Sequence, residues 1–208
     1  MNIIAAHPAQ AHAIARLIML AMNHDCCLHF AGEGHTLAEF ESLMTRLVAR
    51  DDTQYSYRNT LVAMTDEGDL AGICVSYDGA ALHTLRRAFI EEVRDTFGRD
   101  FSTMDDETQT GELYIDSLAV TDTYRRQGVA EAAGRGAAAG YRSACRDALP
   151  AGRGIARRQR QSKCRTPVSP HWFLLCQRCH VGWPCHASSA NRIPPSGMKI
   201  LSRTYKRC

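Results

Sequence analysis

The sequence predicts an α/β fold, and three observations carry that reading. Short apolar runs flanked by turn formers alternate with longer stretches whose apolar residues recur every three or four positions. One apolar run, Leu113, Ile115, Leu118 and Val120, lies between Gly111 and Asp122 and reads as a buried strand. A short turn and a glycine-bearing loop, Arg125-Arg126-Gln127-Gly128-Val129-Ala130, follow where a helix should begin.

Taken in order, Asn2 to Ala6 is a first strand, broken by His7-Pro8. Ile14, Leu17, Ile18 and Ala21 place an amphipathic helix over Ala9–Met22, with His12 as a solvated surface histidine. Asn23 to His35 reads as polar and irregular, holding Cys26-Cys27 and a Gly32-Glu33-Gly34 turn. Adjacent cysteines strain a mutual disulfide, so two reduced thiols are expected. His24, His29 and His35 fall where a substrate groove could pass, but their spacing does not establish one. Thr36 caps the next helix, which runs to about Arg50; Glu39 completes a capping box, and Phe40, Leu43, Met44 and Leu47 form the apolar face.

Thr60–Met64 and Leu70–Tyr77 read as a hairpin around Thr65–Asp69, with Gly72 admitting a bulge or a close backbone approach. Ala80–Phe97 reads as a helix with Leu82, Leu85, Phe89, Ile90 and Val93 on one side. It is longer than a strand connection needs, so an insertion over a site mouth or a partner surface is expected. Asp100 to Gly111 is an acidic loop.

The chemistry concentrates in Glu112–Ala130. A helix N-terminus carries unpaired N–H groups and partial positive charge, a seat for phosphate. Gly128 admits close approach to the backbone, and Arg125 and Arg126 add donors and charge. The strand ending Leu118-Ala119-Val120, then Tyr124-Arg125, then Arg-x-x-Gly-x-Ala at Arg125, Gly128 and Ala130 resembles motif A of the GNAT N-acetyltransferases. The resemblance spans roughly residues 1–130 and implies a GNAT-like mixed sheet with flanking helices. It implies acetyl-CoA as co-substrate, a primary amine of a small molecule or protein as acceptor, and no metal. The pyrophosphate would lie on Arg125, Arg126, Gln127, Gly128, Val129 and Ala130, and the pantetheine arm along Leu118, Ala119 and Val120. The same strand would lend a backbone N–H to the thioester carbonyl. Glu112 and Asp116 are the carboxylates available as general base; they stand four apart, on one face of a regular strand.

Charge divides the chain. Residues 1–131 hold 10 Lys/Arg and 21 Asp/Glu, a net of −11; residues 132–208 hold 15 Lys/Arg and one acidic residue, Asp147, a net of +14. Six of the nine cysteines lie in the second part, and the expected boundary falls between a domain over 1–130 and a basic, cysteine-rich tail over 131–208. Where motif A should continue into an amphipathic helix and an Asn-x-x-Ala-x-x-x-Tyr-x-x-x-Gly-Phe segment, neither helical nor strand periodicity persists. Back-translated and read one base later, Ser162–Phe173 yields Ala-Asn-Ala-Glu-His-Leu-Tyr-Arg-His-Ile-Gly-Phe, which is similar to the missing segment. Trp172-Phe173 and Trp183-Pro184 give glycine in that frame without choice. The tail therefore reads as a frameshift product, irregular or disordered, that lacks the second half of the coenzyme groove and its tyrosine acid. Cys176-Gln177-Arg178-Cys179-His180 also matches a c-type haem attachment pattern, and Cys176, Cys179, Cys185 and His186 can be drawn as a zinc site.

Two function classes follow: an acetyl-CoA-dependent N-acetyltransferase, truncated within its fold, or a non-enzymatic protein whose basic tail binds zinc or nucleic acid. No apolar run approaches the ~18 residues that span a membrane. No basic region precedes an apolar segment at the N-terminus, so a cytoplasmic location is expected, with neither membrane nor nucleic acid as partner. A homodimer is compatible with this reading.

Overall fold

The computed structural model describes residues 1–147. Ser162–Phe173, Trp183-Pro184 and the drawn metal or haem ligands lie outside the described residues, whereas residues 131–147 of the segment read as a frameshift product lie within them. A four-stranded sheet runs in the order β1 (Asn2–Ala5), β2 (Thr60–Met64), β3 (Leu70–Asp78) and β4 (Leu113–Val120), and every described pairing is antiparallel. Four helices cover one face: α1 (Ala11–Met22), α2 (His24–Ala31), α3 (Leu37–Ala49) and α4 (Leu82–Phe97). On the other face lies α5 (Val129–Asp147). The α/β class and its flanking helices are thus as expected.

The larger core forms where the four helices meet the sheet. Ile14, Ile18, Phe40, Leu43, Met44 and Leu47 have no measurable exposure and pack toward Val62, Ile73, Val75 and Ala119. The capping box of α3 is complete: Thr36 Oγ1 accepts from Glu39 N–H at 3.2 Å, and Thr36 N–H donates to Glu39 Oε2 at 2.7 Å. Such a cap is worth about 1 kcal/mol. His12 is exposed, and its Nε2 lies 2.8 Å from Glu41 Oε1.

The segment from Asn23 to His35 differs from expectation. It contains α2, started by Asn23, whose φ is 68° and whose Oδ1 accepts from Cys26 N–H at 3.0 Å. Phe30 is the hub of an aromatic cluster, edge-on to Phe89 at 5.0 Å and Phe101 at 4.9 Å and stacked on Phe40 at 6.3 Å. Cys26 and Cys27 are buried on α2 without joining each other. Burial, with Cys26 beside it, pushes the Cys27 thiol up to about 12, so it stays protonated.

The helix α4, expected over a site mouth or a partner surface, contributes to the core. Phe89 and Val93 are buried in the larger cluster, while Leu82 packs with Tyr77 and Tyr114. Its Arg86 is 4% exposed and anchors the acidic loop before β4. Nη1 donates to Asp105 O at 3.1 Å and Nη2 to Glu107 Oε2 at 3.3 Å.

Residues 131–147, expected as the start of an irregular tail, instead form most of α5, whose small residues let it lie close to the sheet. Val129, Ala133, Ala137 and Ala138 are buried, and a Cβ on Gly136 would stand 3.2 Å from Leu61 and 3.3 Å from Ile3. Gly72 fulfils the close approach read from the sequence. A Cβ there would lie 2.7 Å from the Ala119 carbonyl oxygen and 3.2 Å from Val129. Substitution would press β3 away from both β4 and the first turn of α5.

Candidate active site

β4 is an edge strand among the described residues, paired only with β3. Thr121 N–H donates to Ala71 O at 2.9 Å. Because backbone polar groups alternate sides along an antiparallel strand, Ala119 also faces β3, while Leu118 and Val120 turn theirs to the open edge. The Val120 carbonyl on that edge accepts from Arg125 Nε at 3.3 Å. The three residues expected to meet a pantetheine arm therefore include two with backbone groups directed away from the sheet.

The ladder breaks at Asp116. Val75 pairs with Ser117, but Ser76 pairs with Ile115, so Asp116 is the extra residue of a β-bulge. Tyr114, Ser117 and Ala119 consequently share the multi-helix face, while Leu113, Ile115 and Leu118 share the α5 face. The two-residue period assumed for Glu112 and Asp116 is interrupted at Asp116 itself. Bulges bend a strand and re-aim a side chain, and they recur beside active sites. Asp116 is half-buried, and its Oδ2 accepts from Ser117 Oγ at 2.8 Å.

Glu112 has a different setting. It is buried just before β4, where its carboxylate accepts from Thr108 Oγ1 at 3.0 Å, Gln109 N–H at 3.2 Å and Gln109 Nε2 at 3.3 Å. Its backbone carbonyl accepts from Gly79 N–H at 2.8 Å. These contacts make Glu112 the clasp of the loop entering β4. Four residues of strand, at about 3.4 Å each, separate the two positions by at most roughly 14 Å, and their carboxylates take different partners.

Beyond β4, a single 3₁₀ turn at Asp122–Tyr124 leads to the glycine loop. Arg125 folds back, its Nη2 lying 2.8 Å from Asp122 Oδ1, so it locks the loop to the strand end. Arg126 and Gly128 adopt left-handed backbone conformations, with φ of 61° and 79°. Gln127 Nε2 donates to Thr123 O at 3.0 Å. The first helical bond of α5 runs from Ala132 N–H to Gly128 O at 3.0 Å. Val129, Ala130 and Glu131 thus present first-turn N–H groups that a helix does not satisfy internally. No atom lies within 4 Å of a Cβ built on Gly128, so the space before this turn is open.

Of the three histidines weighed for a groove, His24 is exposed at the start of α2. His29 stacks edge-on to Phe101 at 5.4 Å, and His35 lies 4.8 Å from the Phe97 ring, both within the packing of α2, α3 and α4. The sequence reading missed the bulge: nothing in Tyr114-Ile115-Asp116-Ser117 signals it except two consecutive polar residues inside an apolar strand. It also missed Arg86, which periodicity would have placed on the buried side of α4. Among the described residues, no group of three or more His, Cys, Asp or Glu side chains is arranged to hold a metal, and no helix is long and apolar enough to cross a membrane.

The fold is that of acetyltransferase structures. One crystal structure of an acetyltransferase superposes with a TM-score of 0.53 at 22% identity, over 67% of this chain and 73% of its own. An N-acetyltransferase from Staphylococcus aureus Mu50 superposes with a TM-score of 0.50 at 19% identity, over 65% and 74%. No protein-family model matches the chain, and no curated protein matches it.

Proposed function

We propose that this chain is an N-acetyltransferase that uses acetyl-CoA to acetylate a primary amine. The observation carrying this is the alignment of three features along one edge: the Asp116 bulge, the outward backbone of Leu118 and Val120, and the open first turn of α5 at Gly128.

Each residue has a physical role in this reading. Val129, Ala130 and Glu131 offer backbone N–H groups to the pyrophosphate, aided by the partial positive charge of the helix start. Arg126 and Gln127 flank that seat, and Arg125 holds it against β4. Val120 N–H pairs with the pantetheine amide, as a neighbouring strand would. Leu118 N–H, nearer the bulge, donates to the thioester carbonyl and stabilises negative charge as it develops there. Acetyl-CoA, when bound, supplies the acyl carbon that the amine attacks. Asp116 takes the amine proton, directly or through one water, while Glu112 keeps the entering loop closed. One C–N bond forms and one C–S bond breaks. The departing thiolate takes its proton from solvent.

Calorimetric titration of the full chain with acetyl-CoA tests the binding half, and thiol release with a panel of primary amines tests the transfer. Saturable binding with amine-dependent release supports the proposal. Absence of binding, together with uptake of zinc or duplex DNA, overturns it in favour of a basic binding tail on a non-enzymatic α/β domain.

A further inference from the structure

We propose that Ser117 is a positioning residue that aims the Asp116 carboxylate from the β4 bulge. The inference rests on the reading of Asp116 as the base. Asp116 stands outside the ladder, so pairing with β3 does not fix it. The next residue is fixed: Ser117 pairs with Val75 and is 2% exposed. Its neighbours on that face are Val75, Ile73 and Ala119, all apolar. An alanine or valine would suit such a place, whereas a hydroxyl must be desolvated there. The hydroxyl is engaged, with Oγ donating to Asp116 Oδ2 at 2.8 Å. A rigid donor thus holds one oxygen of the carboxylate on the bulged residue and restricts its rotation.

Four variants of the full chain, Ser117→Ala, Ser117→Cys, Ser117→Thr and Asp116→Asn, test this. The readouts are thiol release from acetyl-CoA with n-butylamine, spermidine and a short peptide amine, acetyl-CoA affinity by calorimetry, and thermal unfolding. Ser117→Ala is expected to lower kcat about tenfold, as loss of alignment does, with acetyl-CoA affinity unchanged. Ser117→Thr restores the hydroxyl and returns kcat to within about twofold of wild type, a recovery that a loss confined to packing would not give. Ser117→Cys preserves volume with a weak donor, and is expected to behave like Ser117→Ala even if the alanine variant unfolds. Asp116→Asn is expected to lose about a hundredfold or more.

The outcomes separate the two claims. Full activity in the alanine and cysteine variants, with the asparagine variant inactive, overturns the role of Ser117 alone. So does loss of acetyl-CoA binding in the alanine variant, or failure of threonine to restore kcat. Wild-type rates in Asp116→Asn, or no thiol release by the unaltered chain with any of these amines, overturn the reading of Asp116 and this inference with it.

Discussion

The buried guanidinium of Arg86 on α4 lies 3.3 Å from the Glu107 carboxylate, in the loop that leads into β4. The same Glu107 oxygen accepts from the Tyr114 hydroxyl at 3.2 Å, so one carboxylate joins the inserted helix, the loop and the strand. Arg86 is 4% exposed, and its Glu107 partner 17%. Removing the cation leaves a largely desolvated carboxylate, a loss that costs about 3 kcal/mol or more. Arg86→Met is therefore expected to lower the urea midpoint strongly. Glu107→Gln keeps most of the hydrogen bonds and is expected to cost about 1 kcal/mol. An Arg86→Met variant within about 0.5 kcal/mol of wild type would show that the loop is held by other contacts.

Glycine has opposite meanings at two places six residues apart. Gly128 has a φ of 79°, so alanine there is strained although no atom stands in the way. That strain costs roughly 1–2 kcal/mol. It also disturbs the turn that presents first-turn N–H groups, so weaker acetyl-CoA binding is expected to accompany the lost stability. Gly134, inside α5, has no atom within 4 Å of a built Cβ, and its backbone is helical. Gly134→Ala is expected to raise stability by about 0.5–1 kcal/mol, since alanine restricts the unfolded chain. Thermal unfolding of the two variants, with and without acetyl-CoA, gives shifts of opposite sign if the loop and helix are built in this way. Equal shifts would contradict the contrast.

The legible parts of the fold were those with long local period or a cap. Thr36, Glu39 and the Phe40-Leu43-Met44-Leu47 face are visible in sequence because capping and helical spacing act within a few residues. The strands β2 and β3 were equally visible, bounded by Thr65–Asp69. In α2, the buried residues Cys26, Cys27, Phe30 and Ala31 do fall at helical spacing. His24 and Asp25 before them and His29 among them hide that spacing, and its start depends on the unusual backbone of Asn23. At the candidate site, the loop at Gly128 was readable because turn chemistry is local. The bulge was not, because it exists only as a register between Asp116 and the Val75–Ser76 step on another strand. The engagement of Glu112 by Thr108 and Gln109 depends likewise on how the preceding loop closes. Carboxylates that look equivalent in a strand were thus separated only by tertiary geometry.

His29 makes the pH dependence of stability testable. Burial, and then the Arg99 charge, lower its proton affinity below the ordinary value of 6.5. Phe30 and Phe101 bracket the ring at 5.8 Å and 5.4 Å, and the Arg99 guanidinium sits 5.5 Å from the Phe101 ring centre. A group with depressed proton affinity in the folded state is protonated more readily in the unfolded chain. Acid therefore favours unfolding: the contribution of His29 is complete above its ordinary range and is lost as pH falls through that range toward the lower folded value. His12, His35 and His83 lie beside Glu41, Glu39 and Asp106 and are common to both proteins when wild type is compared with His29→Gln. Urea midpoints measured from about pH 8 to about pH 5 should fall more for wild type than for His29→Gln. Parallel curves would mean that the imidazole is equally easy to protonate folded and unfolded, and that the packing around Phe101 opens on protonation without penalty.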